Sequence, residues 1–501
     1  MITRQSLSPP PGWLAVFAVF VVMVLARSLV TFPIEHVDAT FKYHAASNIV
    51  NGRALDILLV NQHTMRWSEV LPQVLVTWAT NFRFEGLYLL PLLAFGLACA
   101  LAWRGLQPVL TPTQQLLLLG LLFIEPIGLT HTGQLLNPPF GVLYALMAIT
   151  VLARPGPSTW PRILLAAVLF FFAYGAHSTY LSFAAGGFAW LLFFERRPIQ
   201  AFGFALAIAA FIGGETIWFN HLAEQRLQVG RIEALTNSAH MANVMERFEI
   251  VTPLRLLTRW LDLPFLSLGL AVAFAACVVW LALDARARRE APPFLLLSLL
   301  TGSAYAVAIT FAVISIDPLR PVQPLRNMYL EPFLPFAVIG TAYGVSKIEG
   351  QWPRSLQWKI EAAAAGLMVV LLGVAATQKF DWQTVTNNRL NAFVWRSEAQ
   401  LGEFDARFRR GEILLVGQNR YALEKLIAYR GPQLFRRGSG RFSVTAPPVM
   451  QPGIVCVSTI KGIPLRRNDR PCTEQQIQAA IDAGARFATD AAPPEPAPES
   501  L

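Results

Sequence analysis

The chain has 501 residues, of which 54% are hydrophobic and only 14% charged, with a formal net charge of +10. A soluble domain carries about 25% charged residues, so this balance, with a mean hydropathy of +0.45, excludes an ordinary soluble protein and points to a polytopic membrane protein. In such a chain the basic excess reports topology, because Arg and Lys collect in cytoplasmic loops; nucleic acid is excluded as the partner.

The first apolar run, Trp13 to Phe32, has the length of a spanning helix, about 20 residues. It is too long for the apolar core of a signal peptide and no small-x-small cleavage site follows, so it reads as an anchored first helix. Apolar runs predict further spans over 86–103, 113–130, 138–153, 161–176, 178–194, 199–219, 263–283, 293–314, 327–345 and 361–376, about eleven in all. Ile163 to Phe194 is too long for one span, and "AYGAHSTY" in its middle predicts a tight turn. Cys99 and Cys277 fall inside apolar runs and are expected to pack as small hydrophobes.

Short loops set the orientation. Arg104, Arg154, Arg162, Arg196, Arg197, Arg286, Arg288, Arg289, Lys347, Arg354 and Lys359 fall on one side, which reads as cytoplasmic together with the N-terminus. The other side holds the longer loops 33–85, 220–262 and 315–326. In loop 33–85, "ATFKYHAASNIV" and "WSEVLPQVLVTWA" have helical spacing and fit helices on the membrane surface. The domain plan is therefore a transmembrane part over 1–376, a small extracytoplasmic α/β domain over 377–489 and a disordered tail over 490–501. In the α/β part "EILLVG" and "GIVCVST" read as buried strands and "EQQIQAAIDAGARF" as an amphipathic helix. Cys456 and Cys472 in that part can form a disulfide if it lies outside the cytoplasm.

Polar residues concentrate at the outer ends of the spans. Asp38 follows the first span at the start of a helical pattern. Its carboxylate suits two roles, helix N-cap and general base toward an acceptor hydroxyl. Glu35 and His36 flank it, and such a set can bind a divalent cation or tune the carboxylates. Glu69 in the second surface helix is a further candidate, its bland reading a solvated side chain. In "PVQPLRNMYLEPFLPF" Arg326 offers a bidentate fork suited to phosphate, Arg320 is an alternative ligand and Tyr329 lies about one turn further in. Glu331 is placed at membrane depth, and Pro332 and Pro335 are expected to loosen that helix. Glu125 sits inside the third span, with His131, Gln134 and Asn137 at its outer end. Glu215 has the same status in the seventh span, and His177 reads as structural.

Three of these features resemble the GT-C class of polytopic membrane glycosyltransferases, in the branch of protein O-mannosyltransferases and lipid A aminoarabinose transferases. They are the first outer loop with "VDATFKYHAASNIVNG", the late "LRNMYLEPFLPFAVIG", and the plan of about eleven spans with an outer C-terminal domain. The resemblance implies an all-α transmembrane domain and inverting sugar transfer from a polyprenyl-phosphate or -diphosphate donor to a glycan, lipid or protein acceptor. It implies Asp38, helped by Glu35, as base and Arg326 as a contact to the donor's phosphate, at the outer face of a bacterial inner membrane. The acidic pair of that branch is here split by two residues, and "HTGQLLN" lacks the acidic residue many members carry. A divalent cation, Mg or Mn, is the cofactor such a site would take. Two rival readings are an O-antigen polymerase or ligase, favoured by Arg226, Arg231, His240 and Arg247 in loop 220–262, and a lipid-glycan transporter or flippase. A transporter would show broken helices and inverted repeats, and the sequence has no repeat.

Overall fold

The computed structural model describes residues 12–30, 42, 45, 46, 49, 50, 65–80, 86–124, 137–224, 250–311, 313–316, 319–321, 329–349, 359 and 366. The chain divides into two units. The first comprises Met1–Pro33, Arg66–Glu69 and Tyr88–Lys379, and the second Ile34–Met65, Val70–Leu87 and Phe380–Leu501. The second contributes most of one described helix, inside which Gln73 donates to Thr77 at 3.1 Å.

The described chain is helical: α1 Trp13–Val30, α2 Trp67–Ala79, α3 Gly86–Leu106, α4 Pro112–Ile124, α5 Asn137–Leu152, α6 Trp160–Ala176, α7 Leu181–Ala189, α8 Pro198–Glu224, α9 Pro253–Thr258, α10 Phe265–Leu283, α11 Ala285–Glu290, α12 Pro293–Phe311 and α13 Leu334–Glu349. Four stretches are long and apolar enough to cross a membrane: Leu89–Val109, Pro198–Phe219, Phe265–Leu283 and Pro293–Phe311. Shorter apolar helices accompany them. The protein is a helical membrane protein. Its outer apolar side chains, such as Leu206 and Val272, are exposed as a lipid-facing surface requires.

Small residues and cations decide how the helices of the first unit pack. A Cβ on Gly186 of α7 would lie 2.6 Å from the Thr301 backbone of α12, so only glycine permits this approach. Helices α1 and α3 run antiparallel: Arg104 sits 3.9 Å from the Trp13 ring at one end, and Arg27 4.7 Å from the Phe95 ring toward the other. Arg27 is fully buried and donates to the Phe123 carbonyl at the C-terminal end of α4, where helix carbonyls lack intrahelical partners.

The turn expected in "AYGAHSTY" is present. Helix α6 stops at Ala176, His177 is extended (φ −159°, ψ 136°), Ser178–Tyr180 form one 3-10 turn, and α7 resumes at Leu181. At its far end α7 runs into a π turn, Trp190–Phe194. Glu195 follows and accepts from Ser158 Oγ at 2.6 Å, Trp190 Nε1 at 2.9 Å and Ser158 N at 3.2 Å. Its neighbour Arg196 takes the left-handed backbone (φ 56°), and Arg197 donates to the Ser158 carbonyl at 3.1 Å.

Two expectations are corrected. The span placed at 293–314 ends at Phe311, and Val313–Ile316 pairs antiparallel with Leu319–Pro321, so the described fold carries a small hairpin. The last described helix begins at Leu334 rather than 327, so Pro332 precedes it and Pro335 lies in its first turn. Proline is tolerated there because its missing N–H would have no partner anyway, so these prolines start the helix instead of loosening it. At the start of α2, Trp67, Ser68 and Glu69 are buried, while Leu75 and Trp78 further along are exposed. Cys99 and Cys277 are buried free thiols, as their apolar surroundings predict.

Candidate functional site

The site is built where the α6–α7 turn meets the first turn of α2. His177 stops α6, and its Nδ1 accepts from the Thr179 amide at 3.3 Å and lies 2.7 Å from Thr179 Oγ1. This side-chain cap sets Tyr180, which is 2% exposed, beneath the turn. The Tyr180 ring stacks on Phe183 at 5.4 Å and lies 5.9 Å from the Tyr305 ring. It also lies so close to Gly141 that any Cβ there would strike it.

Segment Arg66–Glu69 is fastened to the helices around it. Arg66 donates to Asn137 Oδ1 at 2.7 Å, Trp67 Nε1 to Glu215 Oε1 at 2.6 Å, and Tyr144 to the Ser68 carbonyl at 2.8 Å. The Trp67 ring packs on Phe171 and Phe172, with centroids 5.2 and 5.0 Å away. The result places Glu69, Glu331 and Arg66 near enough to act electrostatically on the Tyr180 hydroxyl, and Glu69 also acts on Tyr144. In a water-poor setting such charges act more strongly than at a surface.

Glu331 also lines an apolar groove. Its walls come from α3 (Phe95, Ala98, Cys99), α4 (Leu122), α5 (Pro138, Val142, Leu146) and α13 (Leu334, Val338). Apart from Cys99 and Glu331 the lining is apolar. Ligand sites commonly have this mixture of apolar wall and few polar groups. A groove that meets a charged cluster through one shared residue suits an amphipathic molecule.

Of the residues singled out in the sequence, Glu69, Tyr329, Glu331, His177, Glu215 and Asn137 enter this region. Glu69 is fully buried, not solvated, because the turn that carries it is pinned at Arg66, Trp67 and Ser68. Tyr329 is half-buried; its carbonyl accepts from Tyr305 at 2.7 Å and its ring lies 6.0 Å from His177. Arg320 lies in the hairpin, in register with Ser315. Asp38, Glu35, Arg326, Glu125, His131, Cys456 and Cys472 lie outside the described residues, as do domain 377–489 and span 361–376 apart from Gly366. Among the described residues no group of three or more His, Cys, Asp or Glu side chains could hold a metal ion. The set offered to a divalent cation, Glu35, His36 and Asp38, lies outside them.

Arg66, Tyr180 and Tyr305 were not anticipated. Tyr305 was the one with a signal, a hydroxyl inside an otherwise apolar span, since a buried phenol needs a partner.

Fold and site together define a helical membrane protein with a buried polar cluster at an apolar groove. Compared with known proteins, no family profile and no curated protein sequence matches the chain.

Proposed function

We propose that this protein is a GT-C-like membrane glycosyltransferase that moves a sugar from a polyprenyl-phosphate or -diphosphate donor to a glycan, lipid or protein acceptor. The observation that carries the reading is the apolar groove lined by Glu331, whose turn is tied through Tyr329 to Tyr305 beside Tyr180. A prenyl chain needs an apolar channel open to the bilayer, and its sugar needs polar partners at the end of it. The sequence resemblance supplies the reaction.

In this reading the donor's phosphate meets Arg326, with Arg320 and Tyr329 as further contacts. The acceptor oxygen attacks the anomeric carbon with inversion and its proton passes to Asp38, aided by Glu35. The bond from the anomeric carbon to the phosphate oxygen breaks, and its electron pair leaves on the phosphate. Arginine neutralises charge that grows on the leaving group, which is where electrostatic catalysis has most effect. About eleven spans, a cytoplasmic N-terminus and a periplasmic domain 377–489 belong to the same proposal, as do a Cys456–Cys472 disulfide and an inner-membrane location.

The test is sugar transfer by the purified protein from a labelled polyprenyl-linked donor, read as released polyprenyl phosphate. Asp38→Asn is expected to lower turnover at least about 100-fold at unchanged expression, the size of a lost general base. Unchanged turnover would leave Asp38 as a helix cap. Val338→Trp, which fills the groove, is expected to raise the donor KM and leave a water-soluble acceptor's KM alone. Movement of the labelled lipid across vesicles with no polyprenyl phosphate released would replace this reading with a transporter.

A further inference from the structure

A chain of contacts links the α6–α7 turn to the stretch just after Arg326. His177 Nδ1 lies 2.7 Å from Thr179 Oγ1 and caps the turn that carries Tyr180, the Tyr180 ring lies 5.9 Å from the Tyr305 ring, and the Tyr305 hydroxyl donates to the Tyr329 carbonyl at 2.7 Å. The His177 ring meets the Tyr329 ring edge-on at 6.0 Å, closing the loop. Tyr305 is fully buried in α12, and its ring is gripped by Phe183 at 4.8 Å and Tyr180 at 5.9 Å. A hydroxyl on so rigid a ring is a fixed point. The Tyr329 carbonyl that it holds is not part of a long helix, since α13 begins only at Leu334. The described 329–333 turn also receives Leu330 O···Phe333 N at 2.9 Å, and carries Glu331 into the groove.

We propose that Tyr305 and His177 are positioning residues. They hold the turn at Tyr329, and through it they set how Glu331 is presented to the groove. The inference rests on the glycosyltransferase reading for the identity of the donor, but the tether itself does not. Its chemistry explains why a buried tyrosine and a turn histidine sit in one cluster: a backbone carbonyl is held by a donor that cannot move.

The experiment uses the full-length protein in detergent. Tyr305→Phe keeps the ring and removes only the hydroxyl. Hydrogen exchange at the amides of residues 329–333 is expected to quicken about tenfold, the effect of losing one buried hydrogen bond, while α5 and α8 stay unchanged. Affinity for a polyprenyl-phosphate probe is expected to fall by a similar factor, with kcat within about twofold. A merely structural role would instead lower the amount of folded protein and leave KM where it was. His177→Asn is the second variant. Asparagine can still cap the Thr179 amide, so folding is retained, while the ring against Tyr329 is lost; a smaller rise in donor KM, about threefold, is expected. Unchanged exchange at 329–333 in Tyr305→Phe overturns the inference, and so does equal probe affinity in wild type and variant. Wild-type protein that binds no polyprenyl phosphate overturns the glycosyltransferase reading instead.

Discussion

The helical hairpin α6–α7 has a polar hub at each end, and the two hubs are built on opposite principles. At the open end one carboxylate, Glu195, collects two donors from Ser158 and one from Trp190, and Arg197 lies 3.9 Å away. It accepts three hydrogen bonds within the protein and so ties the end of the hairpin together. At the turn end the polar groups are spread over His177, Thr179, Tyr180, Tyr305 and Tyr329, with Glu69, Glu331 and Arg66 near them. One of these, Glu331, lines an open groove. Saturation around one group makes a clamp, whereas distribution beside a cavity makes a place where chemistry can be done.

Three substitutions test that contrast. Glu195→Ala strips the acceptor from three donors at the clamp, and the cost is expected to be about 3 kcal/mol of stability in thermal unfolding. Turnover and polyprenyl-phosphate affinity per folded molecule should not change; a loss of affinity as large as that of Tyr305→Phe would erase the distinction between the hubs. Trp67→Phe removes the indole donor that reaches Glu215 at 2.6 Å. A loss of about 2 kcal/mol is expected, because the carboxylate is buried, and since this bond also pins the turn bearing Glu69, transfer activity should fall with it. An activity that survives intact would separate Glu69 from the site. The smallest effect belongs to Ser158→Ala, about 1 kcal/mol, because the Ser158 amide still donates to Glu195. A loss as large as that of Glu195→Ala would mean that the hydroxyl alone carries the clamp.

What could be read in advance follows the range of the forces involved. The α6–α7 turn was legible because His, Ser and Thr interrupt an apolar run, and α2 was legible because the apolar spacing of "WSEVLPQVLVTWA" is local. The burial of Glu69 was not legible. It depends on Trp67 finding Glu215, 148 residues away, and on Tyr144 finding Ser68, 76 residues away. Pro332 and Pro335 misled for a related reason. A proline that breaks a helix and one that begins it look alike until the helix start at Leu334 is known. The Tyr180 cluster gathers residues from four separate stretches of the first unit. No periodicity in any one stretch announces it.

The π turn at Trp190–Phe194 has a consequence for the length of the hairpin itself. A π turn holds one residue more than an α turn over the same rise, so it works as a phase shifter in the chain. Deleting a single residue there would leave an ordinary α turn over the same rise and keep Glu195 facing Ser158. A deletion within the regular turns of α7 would instead swing Glu195 about 100° around the axis, the angle one residue subtends, and turn its carboxylate away. The hairpin therefore tolerates loss of one residue in the π turn more readily than in the helix before it.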